Sequence, residues 1–217
     1  NLKSINHEHK NKTKIKIYKN FLKERLNLLK KNSIKINNID AKNLSALKKV
    51  FLKIKPDVVI HLAAVSHADR SNKTPNYTFE NSLIKSYSQV FGVKYTIIRP
   101  SALYGERCIS SRVGQIFLEK SLNNEQITVN GDGTDKLDFT YINDLMMGVY
   151  KIIKSRNSIN QIFNITYGNS RKIQEVLNLV KKNFLNTKVK YVKRDKLVPK
   201  RGTLSIVKAK KLLGYKS

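Results

Sequence analysis

Apolar residues recur at helical spacing along much of this chain, as in the stretch that contains Leu26 and Leu29. Residues three and four positions apart lie on one face of a helix, and a folded protein buries that face. Gly92 and Gly214 each follow such a stretch and are typical of helix ends, as is Pro56 after another. The pattern predicts helices over Lys19–Lys31, from Leu44 to before Pro56, and over Pro75–Phe91, Val113–Asn123, Asn143–Ser155, Ile173–Phe184 and Ile206–Leu213.

Short runs of β-branched and aromatic residues lie between the predicted helices. One run, Asp57–Leu62, is almost continuously apolar, which is typical of a strand buried on both faces of a parallel sheet. Strands that alternate with helices favour an α/β fold with a parallel sheet. The predicted strands cover Ser33–Ile39, Asp57–Leu62, Tyr95–Ile98, Gln126–Asn130, Gln161–Thr166 and Lys188–Val192.

The chain is strongly basic, with 43 Lys and Arg against 15 Asp and Glu and a net charge of +28. Such a charge is compatible with binding to nucleic acid or to an anionic membrane. The lysines are scattered along the chain, however, whereas a nucleic-acid footprint is clustered. We therefore interpret most of them as solvated surface charges and expect only non-specific attraction to nucleic acid.

Length and composition narrow the class of protein further. The 217 residues suffice for one domain with a core and a small added lobe. A run of about 18 apolar residues is lacking, so the sequence predicts no membrane span. The single Cys108 cannot form an internal disulfide, which favours a reducing cytoplasm. The chain begins Asn1-Leu2-Lys3, with neither Met nor an apolar signal region, which suggests a fragment.

Five motif regions occur in a fixed order along the chain. The first is an apolar strand followed by the small residues Ala63 and Ala64, which would let a dinucleotide lie close to the edge of a sheet. The regions are Lys55–Ala64; Ser66–Ser71 with Pro75 and Phe79–Asn81; Arg99–Gly105; Gly131–Gly133 with Asp138–Tyr141 and Asp144; and Arg201–Thr203 with Ala209–Tyr215. Together they resemble the NAD-dependent epimerase/dehydratase family, the extended short-chain dehydrogenases that act on nucleotide sugars, over residues 38–216.

This resemblance implies a Rossmann-like parallel sheet with a small C-terminal substrate lobe. The implied domains are residues 1–105, a truncated NAD-binding domain, and residues 106–217, mainly a nucleotide-sugar-binding lobe. Residues 161–166 would return a strand to the main sheet. In intact relatives NAD is the cofactor, with NADP as an alternative, a nucleotide sugar is the substrate, and the protein is a homodimer.

The resemblance also implies the residues that would contact cofactor and substrate. The cofactor set is Asp40, Ala41, Leu62, Ala63, Ala64, Ser66, Asn81, Pro100 and Ser101. The substrate set is Ala102, Leu103, Arg112, Lys136, Lys200, Arg201 and Thr203. At two places the chain departs from the family, since Leu137 stands where relatives often have a phosphate-binding Arg, and Thr203 where they often have a nucleoside-binding Asp.

Two family segments are not found. One is the first strand with its glycine-rich turn, which holds the pyrophosphate of NAD. The other belongs between Leu83 and Ile84, where relatives carry a further strand and most of the catalytic Tyr-xxx-Lys helix. We therefore assign no catalytic residue and expect the chain as written to be inactive. We also expect it to fold poorly alone, because the strand Asp57–Leu62 would lose both neighbours.

Other candidate chemistry has ordinary explanations. Tyr150 and Lys154 have the spacing of a Tyr-xxx-Lys pair, but their helix follows the Asp138–Tyr141 motif, and in the family that helix lies away from the nicotinamide. His61 and His67 are interpreted as structural. The sequence contains neither a metal-ligand spacing nor a Gly-x-Ser-x-Gly elbow.

Three hypotheses about function stay open at this point. The first is an NAD-dependent nucleotide-sugar epimerase or dehydratase by descent. The second is a non-catalytic protein of the same fold that still binds a nucleotide sugar. The third, from a different class, is a basic nucleic-acid-binding protein.

Overall fold

The computed structural model describes residues 12–40, 43–62, 80–108, 112–194 and 202–217. Residues 1–61 and residues 62–217 form two compact units. The predicted division at residue 105 stays a prediction, because the contacts that define compact units do not test which part holds a cofactor or a substrate. Within the described ranges, every helix is too short or too polar to cross a membrane.

The described residues of the first unit include the helices α1 (Lys12–Lys31) and α2 (Leu44–Ile54). Helix α1 buries Tyr18, whose ring is 6.5 Å from that of Phe21, measured between centroids. Helix α2 begins where the side chain of Asn43 accepts a hydrogen bond from the Ala46 amide. It ends before Pro56, as the sequence predicts, and the backbone of Lys55 at its end is left-handed.

Two predicted strands of this part of the chain do not form. Residues 34–40 have no regular secondary structure, and neither does the run Asp57–Leu62. The apolar residues of this run are exposed, from 52% for Ile60 to 86% for Leu62. The prediction of a strand buried on both faces is therefore wrong for Asp57–Leu62, because a strand needs hydrogen-bonded neighbours and none pairs with it among the described residues.

The second unit alternates strands and helices. Most elements lie within about a residue or two of the predicted bounds, although residues 75–79 before α3 lie outside the described residues. The elements are α3 (Glu80–Phe91), β1 (Thr96–Arg99), β2 (Leu103–Tyr104), α4 (Val113–Leu122), β3 (Ile127–Asn130), β4 (Lys136–Leu137), β5 (Thr140–Tyr141), α5 (Ile142–Lys154), a 3₁₀ turn (Arg156–Ser158), β6 (Gln161–Asn164), β7 (Arg171–Lys172), α6 (Ile173–Asn183), β8 (Val189–Val192) and α7 (Val207–Leu213).

Among the described residues the strands associate in pairs, and three of the four pairs are parallel. Strand β1 pairs with β6, β2 with β5 and β3 with β8, whereas β4 and β7 are antiparallel. The parallel pairs confirm the predicted α/β class. The two-residue strands β2, β4, β5 and β7 were not predicted, because two residues are too short to show a periodic pattern.

Two hydrophobic cores stabilise this unit. In the first, helices α5 and α7 cover β6, and Phe163, Ile165 and Tyr215 are at most 1% exposed. In the second, α4 and α6 cover β3, with Phe117, Ile127 and Leu177 at its centre. The predicted helix stop at Gly214 is confirmed by its left-handed backbone, with φ of +59°.

Candidate functional site

A cavity of about 730 Å³ opens beside the second core. Its walls come from the loop around β2, the first turns of α4, strand β4 with Phe139, and one side of α6. The wall is mostly apolar, with a few charged groups: Glu106, Arg112 and Arg171. Cavities of this size and composition are typical of small-ligand sites.

One wall of the cavity is the loop that follows β1. The chain turns at Ala102, whose φ is +30°, and then pairs Leu103 and Tyr104 with β5. Gly105 follows with φ of +148°, and a Cβ atom there would lie 2.6 Å from a methyl carbon of Ile142. The close approach of this loop to the start of α5 therefore requires glycine at position 105.

The cavity wall is anchored from behind by the buried carboxylate of Asp138. Its Oδ2 accepts a hydrogen bond from the Thr166 hydroxyl at 2.9 Å and from the Leu204 amide at 3.3 Å. Its Oδ1 accepts from the Gly168 amide at 3.0 Å. Asp138 is fully buried, so these donors replace the water that the carboxylate loses on folding. The carboxylate thus connects the segment between β4 and β5 to the chain on both sides of α6.

A second carboxylate, that of Glu106, faces the cavity and holds Tyr141. The Tyr141 hydroxyl lies 2.8 and 2.9 Å from the two carboxylate oxygens. Two hydrogen bonds lower the pKa of Glu106: the larger cause is a backbone amide at Glu106, and the next is the Tyr141 hydroxyl. The same hydrogen bond raises the pKa of Tyr141. At neutral pH, Glu106 is therefore an ionised acceptor, and Tyr141 stays protonated and is a poor base.

Two guanidinium groups line the cavity from separate elements. Arg112 immediately precedes α4, and Arg171 lies on β7. The cavity therefore presents both a carboxylate and two cations. Such a set suits a ligand that has hydroxyl groups and an anionic group.

The structure brings three of the predicted substrate residues together, since Ala102, Leu103 and Arg112 all line the cavity. Two others lie elsewhere. Lys136 is exposed and is not among the described residues that line the cavity. The Thr203 hydroxyl lies 2.6 Å from that of Ser170 and accepts from its amide.

The predicted cofactor residues do not line the cavity where the structure describes them. Asp40 lies in the first unit, where its carbonyl accepts from the Asn43 amide at 2.9 Å. Leu62 is exposed, and Pro100 and Ser101 follow β1 without lining the cavity. Asn81 belongs to α3, but its side chain lies outside the described part. Also outside it are Ala41, Ala63, Ala64, Ser66, Lys200 and Arg201.

Among the cavity residues that the sequence analysis does not predict are Glu106, Tyr141 and Arg171. Tyr141 belongs to a motif that was recognised, and Glu106 directly follows another, so their proximity to the site could have been inferred. Arg171 belongs to no motif, and only the pairing of β7 with β4 places it in the wall.

The Tyr-xxx-Lys pair on α5 lies apart from the cavity. Tyr150 is 56% exposed, and the Lys154 ammonium lies 6.0 Å from the centre of its ring. Neither residue lines the cavity. Within the described ranges, no group of three or more His, Cys, Asp or Glu side chains could hold a metal ion.

The junction between Leu83 and Ile84 lies inside helix α3. Helix α3 runs without interruption from Glu80 to Phe91. The further segment that the family resemblance predicts between these two residues would interrupt this helix.

Two family models match the chain, and they meet at this junction. Residues 5–85 match the model described as GDP-mannose 4,6 dehydratase, and residues 81–166 match the NAD dependent epimerase/dehydratase family. A provisionally named UDP-glucose 4-epimerase of Methanocaldococcus jannaschii is 33% identical over 101 residues, which are 45% of this chain and 32% of that protein. The chain matches only about a third to two fifths of the length of such curated relatives.

Solved structures give the same picture of the fold. A UDP-glucose 4-epimerase from Thermotoga maritima, crystallised with UDP-glucose, aligns with a TM-score of 0.73 at 19% identity, over 83% of this chain and 78% of that one. A UDP-glucuronic acid 4-epimerase from Bacillus cereus, in complex with UDP-glucuronic acid and NAD, aligns with a TM-score of 0.61 at 25% identity, over 65% and 46%. These likenesses confirm the predicted Rossmann-like α/β fold.

Proposed function

This chain belongs to the NAD-dependent epimerase/dehydratase family, and we propose that it binds a nucleotide sugar in the cavity between α4, β4 and α6 without turning it over. The observation that carries the proposal is the cavity itself, which combines apolar walls with Arg112, Arg171 and the ionised Glu106. A nucleotide sugar has an apolar-faced base, an anionic diphosphate and sugar hydroxyls, and each matches one of these features. The cavity volume of about 730 Å³ is within the range for ligands of this size.

We propose that the chain does not turn over its ligand because the tyrosines near the site lack the environment of a catalytic base. When a sugar carbon gives its hydride to NAD, a base poised near neutral pH must take the proton from the hydroxyl on that carbon. A tyrosine becomes such a base only beside a cation that lowers its pKa. Tyr141 has the opposite environment, because Glu106 raises its pKa. Tyr87, on α3, has Phe91 four residues later, where a Lys would lie one helical turn away, and Tyr104 lies on strand β2 rather than on a helix.

Cofactor binding is proposed to be weak. The family's cofactor is NAD, with NADP as an alternative, and Leu62 was predicted to lie along it. The run Asp57–Leu62 forms no strand and has exposed side chains. A dinucleotide bound at the end of a parallel strand needs that strand in place.

Calorimetric titration with UDP-glucose tests the binding proposal. Gly114→Leu should abolish binding, because a side chain there extends toward Phe139, whose ring carbon lies 3.8 Å from the position of a Cβ atom. Asn157→Leu, an exposed position on the 3₁₀ turn, is the matched control and should bind as the parent does. Equal affinity in the parent and in Gly114→Leu would contradict the site.

A turnover assay tests the second half of the proposal. UDP-glucose and NAD are incubated with the chain, and the sugar products are followed by NMR. We expect no epimer, keto sugar or dehydrated sugar. Turnover that disappears in Tyr150→Phe would show that the exposed tyrosine on α5 is catalytic after all.

A further inference from the structure

We infer that Arg171 is the residue that selects the anionic group of the ligand in this cavity, and that it holds a diphosphate from strand β7. The inference rests on the proposed nucleotide-sugar site and names the side chain that would give that site its preference for charge. It concerns one position that belongs to no recognised motif.

The register of the β4–β7 pair places Arg171 in the cavity wall. Leu137 and Arg171 are directly opposite one another in this antiparallel pair, and so are Lys136 and Lys172. Residues directly opposite project to the same face, and consecutive residues project to opposite faces. Leu137 and Arg171 therefore share the face that lines the cavity, whereas Lys136 and Lys172 do not line it.

The pair thus contributes one cation to the cavity, although three of its four residues are basic. The strand β4 contributes only the apolar side chain of Leu137. A ligand anion that reaches this wall meets a guanidinium from β7 and none from β4. The position of the charge is decided by register, which the order of residues along β4 does not reveal.

The contacts of Arg171 leave it available to a ligand. Its ion pair is with Glu175, one turn into α6, at 4.0 Å, and the two side chains are 54% and 49% exposed. An exposed pair at that distance contributes little. Arg194 offers a contrast, since its Nε lies 3.2 Å from an Asp135 carboxylate oxygen and the two side chains are 24% and 32% exposed.

The chemistry of the ligand group follows from the donors. A guanidinium presents paired N–H groups that match two oxygens of one phosphate group. Arg112 lines the same cavity from the start of α4, so arginines from two elements contribute to one cavity wall. Two adjacent phosphate groups, as in a nucleoside diphosphate, are the anion that this arrangement fits.

The test compares variants of equal net charge. UDP, uridine and UDP-glucose are titrated into the parent chain, Arg171→Gln and Lys172→Gln. We expect Arg171→Gln to weaken UDP and UDP-glucose about tenfold and to leave uridine unchanged, because only the first two carry the diphosphate. Lys172→Gln removes the same charge from the neighbouring residue on the other face and should change none of the three affinities.

Exchanging the residues at positions 137 and 171 distinguishes a direct loss of UDP affinity from a loss caused by unfolding. In the double variant Leu137→Arg with Arg171→Leu, the guanidinium returns to the same face from β4. It should recover most of the affinity for UDP that Arg171→Leu alone loses. Glu175→Gln, which removes the competing carboxylate but keeps a side-chain oxygen that accepts from the Lys172 amide, should tighten UDP slightly.

The outcomes separate this inference from the proposed function. If the parent binds UDP-glucose and Arg171→Gln binds it equally well, the inference is overturned and the proposed function stands. An equal loss in Arg171→Gln and Lys172→Gln would also overturn it, because general attraction to a basic surface would explain both. If the parent does not bind UDP-glucose, the proposed function fails, and the inference fails with it.

Discussion

Two short runs of this chain are rich in β-branched residues but have very different structures. Tyr95–Ile98 and Asp57–Leu62 were both predicted as buried strands. The first supplies most of β1, which pairs in parallel with β6 and buries Ile97 to 8% exposure. The second forms no strand, and Ile60 is 52% exposed.

The difference teaches that a buried strand depends on its neighbours. Strand β1 has a partner whose register matches it at four positions, and the Thr96 hydroxyl adds a hydrogen bond to the Ser158 carbonyl at 2.7 Å. In an apolar run without such a partner, the backbone N–H and C=O groups have no interstrand hydrogen bonds, even when the side chains favour a strand. The same run is then an exposed apolar segment that favours aggregation. Poor folding of the chain in isolation stays a prediction.

The largest expected difference between the two regions is in the free energy of unfolding after one carboxylate is removed from each. Asp138→Ala should lower the free energy of unfolding by about 3–5 kcal/mol, because the buried Thr166 hydroxyl and two part-buried amides lose their acceptor. Asp57→Ala, in the exposed run, should change it by less than about 0.5 kcal/mol. Urea denaturation followed by circular dichroism measures both. Similar losses in the two variants would show that the regions are equally structured.

The next largest difference in the free energy of unfolding is expected when one isoleucine in each region is truncated to alanine. Ile165→Ala should cost about 3 kcal/mol, since Ile165 is fully buried in the first core and a cavity remains. Ile60→Ala should cost no more than about 0.5 kcal/mol. The same denaturation experiment applies. A cost above about 2 kcal/mol for Ile60→Ala would mean that the run is buried in solution.

A smaller and pH-dependent effect is expected at Tyr215. Its hydroxyl donates to the Thr166 carbonyl at 3.0 Å, and burial raises its pKa to about 12. Tyr215→Phe should therefore cost about 1–2 kcal/mol near neutral pH.

The sign of the pH dependence follows from the raised pKa. The folded state favours the protonated phenol, so its contribution is complete below about pH 10, the unfolded value, and is lost as the pH rises toward 12. Tyr215→Phe should lack this part of the decline. An unchanged slope in the variant would assign the alkaline destabilisation to other groups.

The smallest effect concerns the basic surface that both regions share. The net charge of +28 should retain the chain weakly on DNA cellulose, with release by roughly physiological salt, because scattered lysines attract phosphate without reading bases. Scrambled and natural DNA sequences should compete equally. A preference for one sequence at that ionic strength would favour the nucleic-acid-binding hypothesis instead.

The sequence by itself determined the local elements and the family. Helices α2, α4, α5, α6 and α7 follow from helical spacing together with their end residues, such as Pro56 and Gly214, because both signals act within a few residues. Strands β3, β6 and β8 were predicted from short β-branched runs. The ordered motifs also sufficed to identify the family, since they are read directly along the chain.

Only the tertiary structure decided which of these segments have partners. It showed that Asp57–Leu62 forms no strand and that Arg171, not Lys136, faces the cavity. It also showed that Glu106 binds Tyr141, 35 positions later in the chain. Pairing, register and burial depend on residues that are distant in sequence, and a shift of one residue in register reverses the face on which every side chain lies. A linear pattern therefore specifies what a segment prefers, and the folded chain determines whether that preference is met.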